Sequence, residues 1–450
     1  MLAVVAAVVA AALAMTGVAV AAVRDKAPPA AASPAHSSGL PTVPDTGSGA
    51  QYAAPRAAIL AVFRARQAAL TAGDRAAWMG TVDPQQPAVV AYEKQLFANL
   101  RQLPLSAYSW SYDQTTQVSG YPVPDDVRSR LGDATDVYNP GMTVTYRFRG
   151  FDPRPTTDPY APVMVERAGR WYVGGDRTRE ETFGQAHDEP WTQGPVSVRV
   201  TKHVLVVVSA RDAKRLSELA SQADAAVTAV AALWSSGWSH TAVLFATRDP
   251  DVFASFLGRN RVVSEASGVT LGLPGLGASD VQDTRVIVNP TDAPPGDAFL
   301  PVLLRHEFTH VAQWNTQAPG TPRWVIEGIA QYTAYRHHLS LARVSRQIVV
   351  DAEAHRWKLA MPASSTFYGE DPGQEYHYDM AWLAWEYISE HYGEKKLKTL
   401  YGRLSAITSP PDSAQGLTEQ AAAFPAVLHL SETAFVKAVE TWTARSFQPA

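Results

Sequence analysis

The chain has 450 residues, long enough for two folded domains rather than one core. Its 39 basic and 43 acidic residues leave a net charge of −4, which excludes nucleic acid and anionic surfaces as charge-driven partners. The absence of cysteine excludes disulfides, thiolate nucleophiles and Cys-held zinc; any transition metal must be held by His, Asp or Glu, and 12 histidines are available.

Leu2 to Val23 is apolar apart from Thr16 and Gly17, with no charge before Arg24. As a helix the run spans about 33 Å, enough for a bilayer core of about 30 Å. Residues 1–23 are therefore expected to be a transmembrane anchor or a signal peptide, with Ala19-Val20-Ala21 as a weak cleavage site. Arg24 and Lys26 alone would hold the rest of the chain in the cytoplasm, so export implies basic residues upstream of Met1. Residues 24–51 are rich in Pro, Ala and Ser with little to bury, and read as a disordered tether. The expected location is the cell membrane, with the domains outside the cytoplasm, or the secreted fraction.

Residues 52–177 read as an α+β accessory domain, helices first and an antiparallel sheet after. Pro55 to Leu70 places Ile59, Leu60, Phe63, Gln67 and Leu70 at helical spacing, and Gly73-Asp74 breaks the pattern before a short second helix. A further helix is expected over Gln85 to Leu100. Thr143 to Arg149 alternates as a half-buried strand, and Val163–Glu166 with Arg170–Val173 flank Ala168-Gly169 as a hairpin. The order of elements, ending in Glu166-Arg167-Ala168-Gly169-Arg170-Trp171-Tyr172, resembles the nuclear-transport-factor-like cone fold. That resemblance carries no catalytic motif and implies a docking or binding role.

Residues 178–195 are polar, rich in Gly and Pro, and read as a linker to a second domain over 196–450. There Val204 to Val208 is a continuous apolar run suited to an interior strand, and Ala213 to Trp234 is helical. Ala242 to Ala246 is a strand, Asp251 to Leu257 a short helix, and the glycine-rich Gly268 to Gly277 a mobile loop. Arg285 to Asn289 is a strand ended by Pro290.

His306-Glu307-Phe308-Thr309-His310 fits H-E-x-x-H, with both imidazoles on one helix face and Glu307 beside them. Asp297 and Pro301 suit the start of that helix. After 16 further residues comes Glu327, in Trp324-Val325-Ile326-Glu327-Gly328-Ile329-Ala330. The turn Pro319-Gly320-Thr321-Pro322 allows a second helix to run back and set Glu327 beside the histidines. A carboxylate among Trp324, Ile326 and Ile329 is costly to bury unless paired or metal-bound. Two His and one Glu leave a fourth position open, as in catalytic Zn2+ sites.

Those two motifs, H-E-x-x-H followed by W-x-x-E-G-x-A, resemble the gluzincin metallopeptidases of the peptidase MA-like kind over Val196 to Ala444. The likeness implies a sheet with an edge strand followed by a mostly helical half. It implies His306, His310 and Glu327 as zinc ligands, Glu307 as general base, and Arg285–Asn289 as the edge strand that takes an extended peptide. The G-x-M-E-N motif of the aminopeptidases is missing, so that activity is not implied. Tyr376 to Tyr392 is a helix with a core-facing stripe; Tyr378 is placed like the tyrosine that donates to the oxyanion, with Tyr376 and His377 as substitutes. His337, His338, His355, His391 and His429 read as surface or core residues. The expected chemistry is peptide-bond hydrolysis by a metal-activated water on a peptide or protein substrate. The rival readings are a metallohydrolase of another substrate and an inactive two-domain adaptor.

Overall fold

The computed structural model describes residues 53–112, 123, 125–176, 189–250, 252–253, 267–274, 281–336, 361–367 and 374–446. The expected anchor and tether, most of the helix expected at 251–257, and His337, His338 and His355 lie outside these residues. Among the described residues no helix is long and apolar enough to cross a membrane. The class is α+β, and the chain divides into two compact units.

The unit built from the described residues of 53–197 and 273–283 starts with three helices: α1 (Ala53–Ala72), α2 (Arg75–Met79) and α3 (Pro87–Leu100). The spacing of Ile59, Phe63 and Leu70 turns them inward from α1. Asp74 then caps α2, its Oδ1 accepting from the Ala77 N–H at 2.9 Å. Beneath the helices Arg66 and Glu93 form a fully buried ion pair at 2.7 Å. The indole of Trp78 donates to the same Glu93 oxygen at 3.0 Å and lies 3.8 Å under the Arg66 guanidinium. Removing one partner of such a pair strands a charge out of water, so Glu93→Ala is expected to cost about 3–5 kcal/mol. Urea unfolding of the full chain should show it as an earlier transition of this unit.

Two small antiparallel sheets follow, with the short helix α4 (Asp125–Arg130) between their first two strands in sequence. One has the order β1-β3-β4 from Leu105–Tyr112, Met142–Phe148 and Thr156–Tyr160; the other has β2-β5-β6 from Asp136–Tyr138, Pro162–Arg167 and Arg170–Asp176. Strict alternation buries Met142, Val144, Tyr146 and Phe148. The β5–β6 hairpin turns at Ala168 and Gly169, both at positive φ (50° and 78°), as a tight hairpin turn requires. Residues 189–195, expected in the linker, are packed into this unit. Trp191 sets its ring against Tyr146 and Phe148 at 5.3 and 5.6 Å, and Asn99 donates to the main-chain oxygens of Trp191 and Gly194.

The other unit, residues 198–272 and 284–450 apart from those not described, rests on a five-stranded sheet of order β10-β11-β9-β8-β7. Its strands are β7 (Val196–Val200), β8 (Val204–Ser209), β9 (Ala242–Ala246), β10 (Gly268–Pro274) and β11 (Val281–Val288). Strand β9 pairs in parallel with β8 and β11, and the helix α5 (Leu216–Leu233) makes the crossover between β8 and β9. Val204, Val206, Val208, Val286 and Val288 share a core with Leu219, Val227, Leu300 and Leu303.

Two expectations change here. Gly268 to Pro274, read as loop, is the edge strand β10; Val269-Thr270-Leu271 supplies the β-forming side chains between the glycines. Consequently Arg285–Asn289 is not the edge: β11 is hydrogen-bonded on both sides, to β10 and to β9. The Asn289 N–H donates to the Ser267 oxygen at 2.9 Å, so the start of β10 faces the end of β11 and the pair runs antiparallel.

Among the described residues five further helices follow in this unit: α6 (Phe299–Gln313), α7 (Arg323–Tyr335), α8 (Gln374–Leu404), α9 (Ala414–Leu428) and α10 (Glu432–Ser446). The expected end of α8 near Tyr392 appears as a kink at Gly393, whose φ is 79°.

Candidate metal centre

The loop before α6 is fastened at several points. Arg215 donates to the main-chain oxygens of Pro290 and Ala293, both at 2.8 Å, and pairs with Glu218; the other Glu218 oxygen accepts from the Gly296 N–H at 2.8 Å. Asp297 then accepts from the Phe299 N–H at 2.8 Å, but the N-cap itself is Ala298, with no side-chain cap, so Asp297 fastens the turn before the helix instead of capping it. From that fixed start, Leu300, Leu304 and Phe308 bury one face of the helix in the core, Val302 and Leu303 line the cavity beside His306 and Glu307, and Thr270 of β10 and Glu327 of α7 reach Glu307 and His310.

Helix α7 reaches the site because two glycines let it. At Gly320 a Cβ would come within 2.2 Å of the Ser409 oxygen, so only glycine allows the turn to pack there. At Gly328 a Cβ would come within 2.5 Å of the Ala381 oxygen and 2.8 Å of Trp385 Cδ1, so α7 and α8 touch with no side chain between them. The contact is beside Glu327 on one helix and one turn past Tyr378 on the other. It therefore sets the height at which those two residues face the same space.

Three donor atoms meet there. His306 Nε2 and His310 Nε2 are 3.0 Å apart, and Glu327 Oε2 lies 3.5 and 3.6 Å from them. A tetrahedral ion with bonds of about 2.0–2.1 Å requires its donors about 3.3–3.4 Å apart. The circle through these three atoms has a radius of about 2.0 Å, so an ion just off their plane reaches all of them at zinc bond lengths. Among the described residues this is the one group of three such side chains with ligand atoms converged within 4.8 Å.

The electrostatics point the same way. Glu327 is fully buried and neither of its oxygens accepts a hydrogen bond; its remaining neighbour, Arg323, stands 3.8 Å away. A carboxylate in that position costs several kcal/mol unless a cation balances it. Burial holds the His310 pKa well below its usual value, aided by His306 and Arg323, which keeps that imidazole a neutral donor. Burial also opposes charge on His306, yet Glu327, Glu307 and Gln331 outweigh it and raise its pKa.

Glu307 is 3% exposed, and burial pushes its carboxyl up to about 7, against the pull of His306 and Thr270. A carboxyl there exchanges protons near neutral pH, as a general base must. A narrow cavity adjoins it, lined on its polar side by His306, Glu307, Glu327, Gln331, Tyr335 and Tyr378. Of the three expected oxyanion candidates, Tyr378 lines this cavity, with Phe367 5.2 Å away edge-on. His377 turns its Nδ1 to the Thr366 main-chain oxygen at 3.3 Å, and the side chain of Tyr376 lies outside the described residues. His391 stacks on Tyr387 and His429 ends α9 in a left-handed conformation, so neither joins the site.

Three functional candidates were not evident in the sequence. Gln331 Oε1 accepts from His306 Nδ1 at 2.9 Å, which leaves the Nε2 lone pair for an ion. Tyr335 lines the cavity, and its signal was the row Glu327, Gln331, Tyr335 at successive i+4 steps. Thr270 donates to Glu307 Oε2 at 2.7 Å and was hidden in the glycine-rich stretch read as loop. Gln331→Leu is expected to weaken zinc binding about 10–100-fold, the usual loss when an outer partner of a ligand goes. Competition with a chromogenic chelator would measure it.

No family model and no curated protein matches the chain in sequence.

Proposed function

We propose that the chain is a zinc-dependent metallopeptidase similar to the gluzincins, hydrolysing peptide bonds outside the cytoplasm. One observation carries the reading: a fully buried, hydrogen-bond-free Glu327 carboxylate completes, with two imidazole nitrogens, a triangle of the size a tetrahedral zinc requires. His306, His310 and Glu327 would hold the ion. When bound, zinc supplies Lewis acidity, drawing the pKa of water towards about 7 and polarising a scissile carbonyl.

The chain's own residues do the rest. Glu307 takes a proton at its carboxylate and returns it to the leaving amine, a task suited to a group that titrates near 7. Tyr378, a neutral phenol on the cavity wall, donates to the oxygen that gains charge in the transition state. Strand β10, the sheet edge beside Glu307, offers main-chain groups to an extended peptide. Gln331 fixes the tautomer of His306. The cone-like arrangement of the N-terminal unit and the gluzincin-like arrangement of the other belong to the same proposal, with the former in a docking or binding role.

The test is cleavage of labelled casein by the full-length chain with zinc, after dialysis against a chelator, and after zinc is restored. Activity that disappears and returns with zinc supports the reading. Cleavage indifferent to the chelator, or cleavage of ester substrates alone, counts against it.

A further inference from the structure

The hydrolytic mechanism leaves one buried hydroxyl unused. Thr270 sits in β10 with no exposed surface, its Oγ1 2.7 Å from Glu307 Oε2 and 3.0 Å from the Glu307 main-chain oxygen. We propose that Thr270 is a positioning residue that fixes the Glu307 carboxylate on the edge strand and leaves Oε1 to handle the proton. This rests on the hydrolytic reading of the site.

A hydroxyl has one proton to give. An ionised carboxylate is a stronger acceptor than a main-chain carbonyl, so the proton points at Oε2 while Glu307 is charged. That bond engages Oε2, so Oε1 is the oxygen left to the proton, and the 3.0 Å approach to the Glu307 main-chain oxygen keeps the hydroxyl in place.

The backbone of β10 closes another side. A Cβ at Gly268 would come within 3.2 Å of Glu307 Oε1 and 3.0 Å of Leu303 Cδ1, so the strand runs close over the carboxylate with no side chain between. Such confinement matters because proton transfer requires heavy atoms about 2.6–3.2 Å apart, and a displacement of about 1 Å can cost about 100-fold in rate. It also makes the strand nearest the base the one that anchors it.

The experiment compares Thr270→Val, which keeps the shape and loses the donor, with Thr270→Ser, which keeps the donor. With labelled casein, Thr270→Val should lower kcat about 10–100-fold with KM within about twofold and zinc content unchanged. Thr270→Ser should stay within about threefold of the parent chain. A readout independent of turnover is the infrared difference between each zinc-free chain and its Glu307→Gln counterpart, which isolates the Glu307 carboxylate band. Thr270→Val should shift that band and Thr270→Ser should not. Parental turnover and an unmoved band in Thr270→Val would overturn the proposal, as would an equal loss in both variants. If the zinc-loaded parent chain cleaved nothing, the hydrolytic reading would fall, while the band would still report whether Thr270 holds Glu307.

Discussion

Glu307→Gln is expected to bind zinc as the parent chain does and to lose about 1,000-fold or more of its turnover. The amide keeps the size of the carboxylate and can still accept from Thr270, so the packing around β10 and α6 is undisturbed. What it cannot do is take a proton. General acid–base catalysis is commonly worth about 100–10,000-fold, and here one residue serves as base and then as acid, which places the loss towards the upper end. The comparison to make is kcat/KM on labelled casein with zinc content measured on the same preparations. Full zinc and parental turnover together would show that the proton goes elsewhere.

Glu327→Ala should fail earlier, at metal binding. Loss of a direct ligand should weaken binding by more than the roughly 10–100-fold that an outer partner costs. A companion change separates ligation from ordinary structure. Glu327→Met replaces a buried carboxylate that has no hydrogen bond with an apolar side chain of similar length. That relieves the cost of burying an unbonded carboxylate, against which stands the 3.8 Å approach of Arg323. The zinc-free Glu327→Met chain should therefore melt no lower than the zinc-free parent while binding no zinc. A large drop in its melting point would mean that the carboxylate serves the fold rather than an ion.

The readable parts of the site were those fixed by local pattern. H-E-x-x-H speaks through helical spacing, and Pro319-Gly320-Thr321-Pro322 with an apolar helix after it brings Glu327 back without any knowledge of the sheet. Ala242–Ala246 and the run at Val204 were legible for a similar reason, since buried parallel strands are continuously apolar. The errors came where pairing decides. Whether a strand lies at an edge depends on which other segment joins the sheet. The segment in question, Gly268–Pro274, disguises three strand-forming residues between glycines. Read as loop, it leaves β11 at the edge and hides Thr270. Gly328 gives the opposite lesson: it was legible as part of a motif, but its reason, the touch of α7 on Ala381, exists only in three dimensions.

X-ray absorption at the zinc edge of the loaded full-length chain tests the meeting of these three side chains most directly. The expected spectrum is that of a four-coordinate ion with imidazole scattering from two histidines and light-atom donors near about 2.0–2.1 Å, as for zinc bound by His and carboxylate. A spectrum without imidazole scattering, or one unchanged in Glu327→Ala, would contradict that arrangement.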